Sequence, residues 1–507
     1  MKDIVFRFSL IIVLALVALG IISPKLLNEL STTIHSSIIN NFGWGYLLAG
    51  FIFLVFCILL AFSRYGSIKL GKDDDQPEYS YFGWFSMLFA AGMGIGLIFW
   101  GVSEPLSHFA NPPEQIAGGT GAAASFAMRY SFFHWGLQPW AIYIVMSLSI
   151  AYFSFRRGMP PLISSCFYPL LGEKIYTWPG YIIDILAVFA TIFGIATSLG
   201  LGALQINSGL EHVYGLPGTT TSTMVIIAVV TVLFLISSST GLDKGIQLLS
   251  KSNMMLAAIL LVFMLIVGPT SYILNVFTST LGEYANDLLK MSLEVNPFQG
   301  YEWTKSWTLF YWAWWIAWSP FVGLFVARIS RGRTIKEFIL GALLVPTLLT
   351  FFWFSIFGGS ALFLQLEQGV QVAQAATSDV STALFKVFSY YPLGDVMSTV
   401  AILLLIVFFV TSADSATFVL GMMTSHGSMS PPLSKKMVWG FTQSAVAAIL
   451  LLSGGLEALQ KMAIAAALPF ALVMILLCYN LLVALNQEFK GQYYINKNDN
   501  ISNDIKM

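Results

Sequence analysis

Tryptophan and tyrosine are concentrated in two short stretches of this 507-residue chain. Six of the 14 tryptophans lie between residues 303 and 318, and a second stretch runs from residue 134 to residue 143. On a regular helix, at roughly 100° per residue, the rings of the second stretch share one face. Aromatic faces attract cations, and Trp and Tyr form the cages that hold quaternary ammonium groups. The positions therefore predict an aromatic site for a cation, with Trp135, Trp140 and Tyr143 on one helical face and Trp315 and Trp318 close together on another helix.

An interfacial belt of aromatic residues is the alternative interpretation of these rings. It explains Trp303 and Trp307, which lie near the outer end of an apolar stretch. It explains four others poorly, because they lie well inside such stretches: Trp135, Trp140, Trp315 and Trp318. We therefore favour the cage.

Glycine and proline predict two interrupted helices. Gly92, Gly94 and Gly96 alternate within one apolar stretch, and Pro320 follows Ser319 within another. Glycine is a poor helix former, and proline removes a backbone donor. Broken helices at matching positions in two halves of a chain are typical of transporter binding sites. The alternative is that the glycines only allow close helix packing.

Composition restricts the class of protein. Hydrophobic residues make up 57% of the chain, and Asp, Glu, Lys and Arg together make up 10%, against about 25% in ordinary soluble domains. This excludes a soluble or disordered chain, and the 25 basic and 25 acidic residues leave no basic excess for nucleic acid. Three cysteines form neither a disulfide framework nor a zinc pattern. A polytopic membrane protein remains.

Twelve stretches are apolar enough to cross a bilayer as helices, which takes roughly 20 residues. They lie near residues 5–22, 43–63, 82–102, 126–152, 181–206, 223–238, 254–275, 306–327, 338–362, 395–421, 438–453 and 462–486. We therefore predict an all-α polytopic membrane protein with about 12 transmembrane helices. With the N-terminus inside, 19 basic residues lie on the inner side and 6 on the outer side, which predicts cytoplasmic termini.

The motifs resemble those of the betaine/choline/carnitine transporter family. The most specific runs from Ser306 to Gly323 and continues through Arg333, and further matches lie at Gly92–Pro105 and Phe409–Ser415. The resemblance implies an inverted repeat of five plus five helices of the leucine-transporter type, after two extra N-terminal helices, and a homotrimer. The implied segments are 1–81 (two extra helices), 82–275 (first repeat), 276–304 (amphipathic outer connection), 305–487 (second repeat) and 488–507 (short cytoplasmic tail).

The same resemblance assigns roles to individual residues. Trp135, Trp140, Tyr143 and Trp315 would form the quaternary ammonium cage, with Trp318 and Phe325 on the inner exit path. Glycine at position 96 is similar to the pattern of the family's betaine transporters. Members that carry choline with protons tend to have an acidic residue at this position. We see no carboxylate near the cage and expect a zwitterion, whose own carboxylate would meet the backbone amides of Gly92, Gly94 and Gly96.

Sodium would be the coupling ion, and no other cofactor is implied. The resemblance places it on the carbonyls of Ala90, Met93 and Phe408 and the hydroxyls of Thr411 and Ser412; oxygens without full charge suit a monovalent cation that must also leave. Alternatively, these hydroxyls bond to the preceding turn of their own helix. A second sodium site at Thr191 and Phe321 is doubtful, because Ile195 stands where a second hydroxyl is needed.

These features predict a transporter of the inner cell membrane that imports glycine betaine or a related trimethylammonium zwitterion with sodium. Carnitine or choline transport, by exchange or with protons, is the alternative within transport. A membrane enzyme is disfavoured because no catalytic set is visible among the five histidines, and a channel because the broken helices favour occlusion. Because osmotically regulated members of the family that this chain resembles carry a longer basic tail, the short tail of mixed charge at 488–507 predicts little osmotic activation. We expect structural hydrogen bonds at Asp414 and packing at His134, rather than ion ligation and proton relay.

Overall fold

A computed structural model describes residues 3–240, 243–298 and 301–491, without the side chains of residues 89–93, 240, 243–248 and 250. The predicted tail at 488–507 therefore lies mostly outside the described residues. The described chain is helical nearly throughout, which confirms the all-α class. Within those ranges there is no strand, only an isolated antiparallel bridge between Lys69 and Thr334.

Seventeen α-helices make up the described structure. The first nine are α1 (Ile4–Ile22), α2 (Pro24–Ala61), α3 (Tyr81–Ala110), α4 (Gly121–Trp135), α5 (Leu137–Ala151), α6 (Tyr168–Leu171), α7 (Trp178–Tyr214), α8 (Thr220–Thr240) and α9 (Asp243–Val267). The others are α10 (Thr270–Leu293), α11 (Glu302–Ser306), α12 (Thr308–Ile329), α13 (Ile335–Leu366), α14 (Val372–Ser378), α15 (Ala383–Phe388), α16 (Gly394–Met423) and α17 (Leu433–Phe489). A π-helix, Tyr152–Arg156, follows α5, and short 3-10 helices cover Ser164–Phe167, Gly172–Tyr176 and Val380–Thr382.

Nine helical segments in the described part are long and apolar enough to cross a membrane, when α4 is counted together with α5 and α11 together with α12. These segments number ten if α9 and α10, which meet at 107°, form one bent span. Their outward faces carry exposed apolar side chains, such as Ile11 on α1 and Val229 on α8, as expected beside lipid. The chain is therefore a multi-pass membrane protein. The count of twelve spans, the inverted repeat and the segment boundaries stay predictions.

Three of the long helical segments are interrupted at glycines. Gly94 within α3 is non-helical, with φ 4° and ψ −131°. Gly136 separates α4 from α5, so the predicted stretch 126–152 is not one straight helix. In α17, Gly454 and the positive-φ Gly455 (φ 63°) separate its two predicted spans.

The predicted break at Pro320 is wrong, because α12 continues through this proline with helical dihedrals. Proline cannot donate to the carbonyl of Ile316, one turn earlier. The hydroxyl of Ser319 donates to that carbonyl instead, at 2.8 Å. A neighbouring side chain thus replaces the missing backbone hydrogen bond, and α12 stays intact.

Helix α12 forms the centre of the bundle. It packs against α5, α7 and α17, and nearly all its residues are buried. The amphipathic helix α10 lies on the outside of the bundle. It packs on both α4 and α13, and so it connects these two helices as a clamp would. Two acidic side chains accept hydrogen bonds from α4: Asp287 on α10 from Arg129 at 2.7 Å, and Glu294, directly after α10, from Tyr130 at 2.6 Å.

The arginine-rich end of the bundle is tied together by the loop at 62–80. Leu70 exchanges two backbone hydrogen bonds of 2.8 Å with Gly332 and Arg333, in the turn after α12. Asp75 accepts a hydrogen bond from Arg331 at 3.0 Å, and this bond lowers the pKa of Asp75 below its usual 3.8. Arg156 donates to Glu488 and, at 2.8 Å, to Asp73. These arginines therefore hold the loop, α5 and α17 together.

We predict that Asp75→Asn lowers the free energy of unfolding by at most about 1 kcal/mol near pH 7, since partly exposed ion pairs contribute little. The lowered pKa means that the stabilisation is present above 3.8 and is lost as the pH falls through the folded-state value. Thermal unfolding of wild type and variant should thus differ by a constant amount between about pH 5 and about pH 8. Asp74→Asn, on the same loop but exposed, is the control. A difference that disappears near neutral pH, or an equal loss in the control, would contradict this ion pair.

Candidate aromatic cage and ion site

The break in α3 faces two other helices. A Cβ atom built on Gly94 would lie 3.8 Å from the Ser412 hydroxyl, 3.9 Å from the Phe408 ring and 4.0 Å from the Trp318 ring. The interrupted helix therefore meets α16 and α12 at one place. The side chains of Ala90 and Met93 lie outside the described residues, and Gly92 is described only as part of α3.

All five predicted aromatic side chains come together beside this break, and all are buried. The ring centroids of Trp135 and Trp315 are 4.9 Å apart with planes at 72°, and those of Trp140 and Tyr143 are 5.7 Å apart at 86°. Tyr143 joins the two pairs, at 6.2 Å from Trp315. Trp318 adjoins at 6.4 Å from Tyr143 and 6.5 Å from Trp315. We call these five rings the cage.

The cage forms for a different reason than the sequence suggested. Trp135 ends α4, whereas Trp140 and Tyr143 lie on α5, because the chain turns at Gly136. The rings meet through the packing of α5 against α12, not through one shared helical face. Trp318, from the unbroken α12, completes the group.

Hydrogen bonds hold two of the cage indoles. Trp135 donates to a carboxylate oxygen of Glu104 at 2.7 Å, and Trp315 donates to the backbone carbonyl of His134 at 3.0 Å. Trp140 Nε1, the Tyr143 hydroxyl and Trp318 Nε1 are buried without a partner among the described residues. Buried donors normally have acceptors, so these three groups are available to a polar ligand.

Glu104 is the residue that the sequence interpretation missed. We expected no carboxylate near the cage, yet Glu104 is fully buried and contacts Trp135 directly. It escaped notice because the predicted span ended at residue 102, whereas α3 continues to Ala110. An ionisable residue within an apolar helix is itself the signal that could have identified it.

Four groups surround the Glu104 carboxylate. One oxygen accepts from Trp135 Nε1 at 2.7 Å and from the Tyr311 hydroxyl at 2.5 Å. The other lies 2.7 Å from His134 Nδ1 and 3.2 Å from His108 Nε2. His134 also contacts the Thr308 hydroxyl through Nε2, at 2.9 Å. His134 is thus a hydrogen-bonded, packed histidine, in agreement with the interpretation favoured from the sequence.

Two of the predicted sodium-binding residues on α16, Phe408 and Ser412, lie next to the α3 break. Thr411 donates back along its own helix, to the carbonyls of Val407 at 2.9 Å and Phe408 at 3.2 Å, which is the local alternative expected for a hydroxyl. Its oxygen also accepts from Asn253 Nδ2 at 3.1 Å. The Thr411 hydroxyl and the Phe408 carbonyl lie 3.2 Å apart, and the Ser412 hydroxyl is the oxygen of this group that lies near Gly94.

The second sodium site fits this chain less well. Thr191 is buried, but its hydroxyl donates to the Ala187 carbonyl at 2.7 Å. Ile195, one turn later, is fully buried and supplies no oxygen. Phe321 packs on Trp318 with ring centroids 5.7 Å apart. These residues therefore offer one engaged hydroxyl and an aromatic ring, which is a poor set for a cation.

The other acids within or beside spans have protein partners. Asp414 accepts from the Ser237 hydroxyl at 2.9 Å. Asp184 accepts from the backbone amide of Ser164 at 3.0 Å and from its hydroxyl at 2.7 Å. The hydrogen bond of Asp414 agrees with the structural role that we expected for this residue. Asp184 is likewise held by hydrogen bonds, from Ser164.

Gly96 gives the cage room. A Cβ atom at this position would lie 2.7 Å from the Trp314 ring and 2.8 Å from the Trp135 ring. Contacts this short force the rings to move, so the absence of a side chain at Gly96 lets both indoles keep their places.

We predict that Gly96→Ala lowers the free energy of unfolding by about 1–3 kcal/mol, as overpacked cores do. The matched control is Gly83→Ala on the same helix, where the nearest atom to a new Cβ is 3.5 Å away. The control should be neutral or more stable by about 0.5–1 kcal/mol. Thermal unfolding of the purified variants measures both, and equal stability of the two would contradict the close approach at Gly96.

Comparison with known proteins places the chain in a family. Residues 4–490 match the sequence model of one protein family, the betaine/carnitine/choline family transporters (BCCT). Glycine betaine transporter OpuD of Bacillus subtilis is 52% identical over 96% of this chain and 94% of its own length. A probable glycine betaine transporter of Desulfitobacterium hafniense is 45% identical over 96% of this chain and 98% of its own length. An ectoine/hydroxyectoine transporter of Virgibacillus pantothenticus is 44% identical over 93% of this chain and 94% of its own length. The chain therefore belongs to the betaine/carnitine/choline transporter family, and it is a transport protein rather than an enzyme.

Proposed function

We propose that this protein is a secondary active transporter that imports glycine betaine, or a closely related trimethylammonium zwitterion, together with sodium. The cage is the observation that carries the proposal, because it brings Trp135, Trp140, Tyr143, Trp315 and Trp318 together in a buried position. Relatives named as glycine betaine transporters, such as those of Bacillus subtilis and Desulfitobacterium hafniense, support the same substrate.

The chemistry of the cage suits a quaternary ammonium group. A trimethylammonium head has no N–H donor, so it gains little from hydrogen-bond acceptors and much from aromatic faces. A desolvated cation over such faces gains about 2 kcal/mol or more. The Tyr143 hydroxyl and the indole N–H groups of Trp140 and Trp318, which lack partners in the described structure, would donate to the substrate's carboxylate. The amides of the α3 break, Gly92 to Gly96, are further candidate donors.

Sodium coupling would connect the cage to α16. In our proposal the ion binds the carbonyls of Ala90, Met93 and Phe408 and the hydroxyls of Thr411 and Ser412. The proximity of Gly94 to Ser412 and Phe408 supports this position, since the ion would bridge the break and α16. Each charge that moves inward across 100 mV releases about 2.3 kcal/mol, which drives accumulation. We propose one sodium ion at this site, because the residues around Thr191 are a poor second set.

Alternating access would follow from relative movement of the helix sets around this site. Trp318 and the half-buried Phe325 would line the inner exit. We further propose cytoplasmic termini, from the 19 to 6 distribution of basic residues. Location in the inner cell membrane and assembly as a homotrimer are proposed from the family resemblance.

The substrate has three alternatives. Carnitine and choline share the trimethylammonium head, and the cage contacts mainly that head. Ectoine is a further candidate substrate, because the Virgibacillus relative, at 44% identity, is an ectoine/hydroxyectoine transporter. An excess of each compound as a competitor of radiolabelled betaine uptake would rank all three against betaine.

We expect proteoliposomes with the purified protein to accumulate radiolabelled betaine only under an inward sodium gradient. Trp315→Leu should abolish saturable uptake, because it removes the central ring of the cage. Trp44→Leu is the matched control, since Trp44 is 56% exposed on the outer face of α2, and it should transport as wild type does. Betaine uptake independent of the sodium gradient would refute the coupling, and saturable uptake by Trp315→Leu would refute the cage.

A further inference from the structure

The buried carboxylate of Glu104 is connected to the cage by two routes. The first is direct, through the 2.7 Å hydrogen bond from Trp135. The second passes through His134, whose ring lies between Glu104 and the Thr308 hydroxyl. The backbone carbonyl of the same histidine accepts the indole N–H of Trp315. One side chain on α3 thus contacts one cage ring and the residue that holds a second ring.

The hydrogen-bonding groups around residue 104 favour a carboxylate at this position. An ionised carboxylate has about four lone pairs and donates nothing. Trp135 and Tyr311 are donors towards one oxygen, and His134 and His108 lie with ring nitrogens at the other. With its hydrogen on Nδ1, His134 donates to Glu104 and accepts from Thr308 through Nε2. With its hydrogen on Nε2, His108 also donates to Glu104, and its Nδ1 is left without a partner among the described residues. All four neighbours can therefore donate to the carboxylate at the same time.

A metal ion is the competing use of these residues. Among the described residues, ligand atoms of Glu104, His108 and His134 lie within 4.8 Å of one another. However, the Glu104 oxygen that faces the histidines already has both imidazoles at hydrogen-bonding distance, and the other oxygen has Trp135 and Tyr311. A metal would have to break these contacts, so the geometry favours hydrogen bonding.

We propose that Glu104 is the positioning residue of the cage: its carboxylate fixes Trp135, and through His134 it fixes Trp315, and so it sets the affinity for the quaternary ammonium head. The inference rests on the proposed function and assigns a role to a residue outside the cage. Glu104 does not itself contact the substrate. It acts on the orientation of the rings.

Glu104→Gln tests the role with almost no change in shape. Glutamine keeps one oxygen but places an NH₂ group against two of the four neighbours, so the rings lose their fixed orientation. We expect the betaine concentration at half-maximal uptake, KM, to rise about tenfold or more, since charge-assisted buried hydrogen bonds are strong. The maximal rate per folded transporter should change much less, because the sodium ligands and moving helices are untouched.

Asp184→Asn is the matched control for loss of a buried carboxylate. Asp184 also accepts two hydrogen bonds, both from Ser164, but none from a cage residue. A general loss of stability would affect both variants, whereas only Glu104→Gln should raise KM. A KM unchanged in Glu104→Gln, or raised equally in Asp184→Asn, would overturn the proposal.

A double-mutant cycle tests whether Glu104 acts through the ring. Trp135→Phe keeps an aromatic ring but has no N–H to donate. If Glu104 positions Trp135, the combined variant should raise KM by less than the product of the two single effects. Purely multiplicative effects would contradict the role. If Glu104→Gln does not fold, Trp135→Phe and Tyr311→Phe should each raise KM, and an unchanged KM in both would overturn the proposal.

The outcomes separate this inference from the proposed function. Absence of betaine uptake by the wild-type protein would refute the proposed function. Normal wild-type uptake with an unchanged KM in Glu104→Gln would refute only the positioning role.

Discussion

The interior of a membrane offers no water to polar groups, so each buried donor or acceptor in this protein needs a partner within the protein or in its ligand. Buried hydroxyls meet this need locally, as when Thr191 donates to the Ala187 carbonyl. Ser319 meets it for the backbone, where Pro320 leaves the Ile316 carbonyl without its helical donor. The central helix α12 remains continuous because of that one hydroxyl. Its tryptophans can therefore lie in regular register against α5.

The same requirement explains how a nearly uncharged core can bind a charged substrate. Desolvated charge is costly to bury, and the Glu104 carboxylate is accommodated by four surrounding polar groups. Since its lone pairs are occupied, Glu104 offers little to a cationic ligand. We therefore attribute the short-range attraction for a cation to the ring faces. The buried donors without described partners on Trp140, Tyr143 and Trp318 are suited to an anionic group, so the cage can serve both ends of a zwitterion.

The sequence was most informative where residue type alone carries the chemistry. The five rings that meet could be selected, because Trp and Tyr are clustered deep within apolar stretches, and the family resemblance assigned four of them to a cage for a cation. The break at Gly94 followed from the local conformational preference of glycine. The remaining features depend on contacts between distant segments. Glu104 meets Tyr311 from a helix 207 positions away, and no local pattern reveals that pair. Pro320 was misjudged because the rule for proline ignores a neighbouring hydroxyl, and Gly136 was overlooked because one glycine in a membrane helix is usually tolerated.

The central claim is that ring faces recognise the positive charge of the substrate and not merely its shape. The tert-butyl isostere of glycine betaine, in which carbon replaces the quaternary nitrogen, has nearly the same shape and the same carboxylate but no positive charge. Binding of both compounds to the purified protein, followed by tryptophan fluorescence, tests the claim directly. We predict that the isostere binds at least about tenfold more weakly, because it lacks the cation–π attraction. Equal affinity for the two compounds would contradict the account.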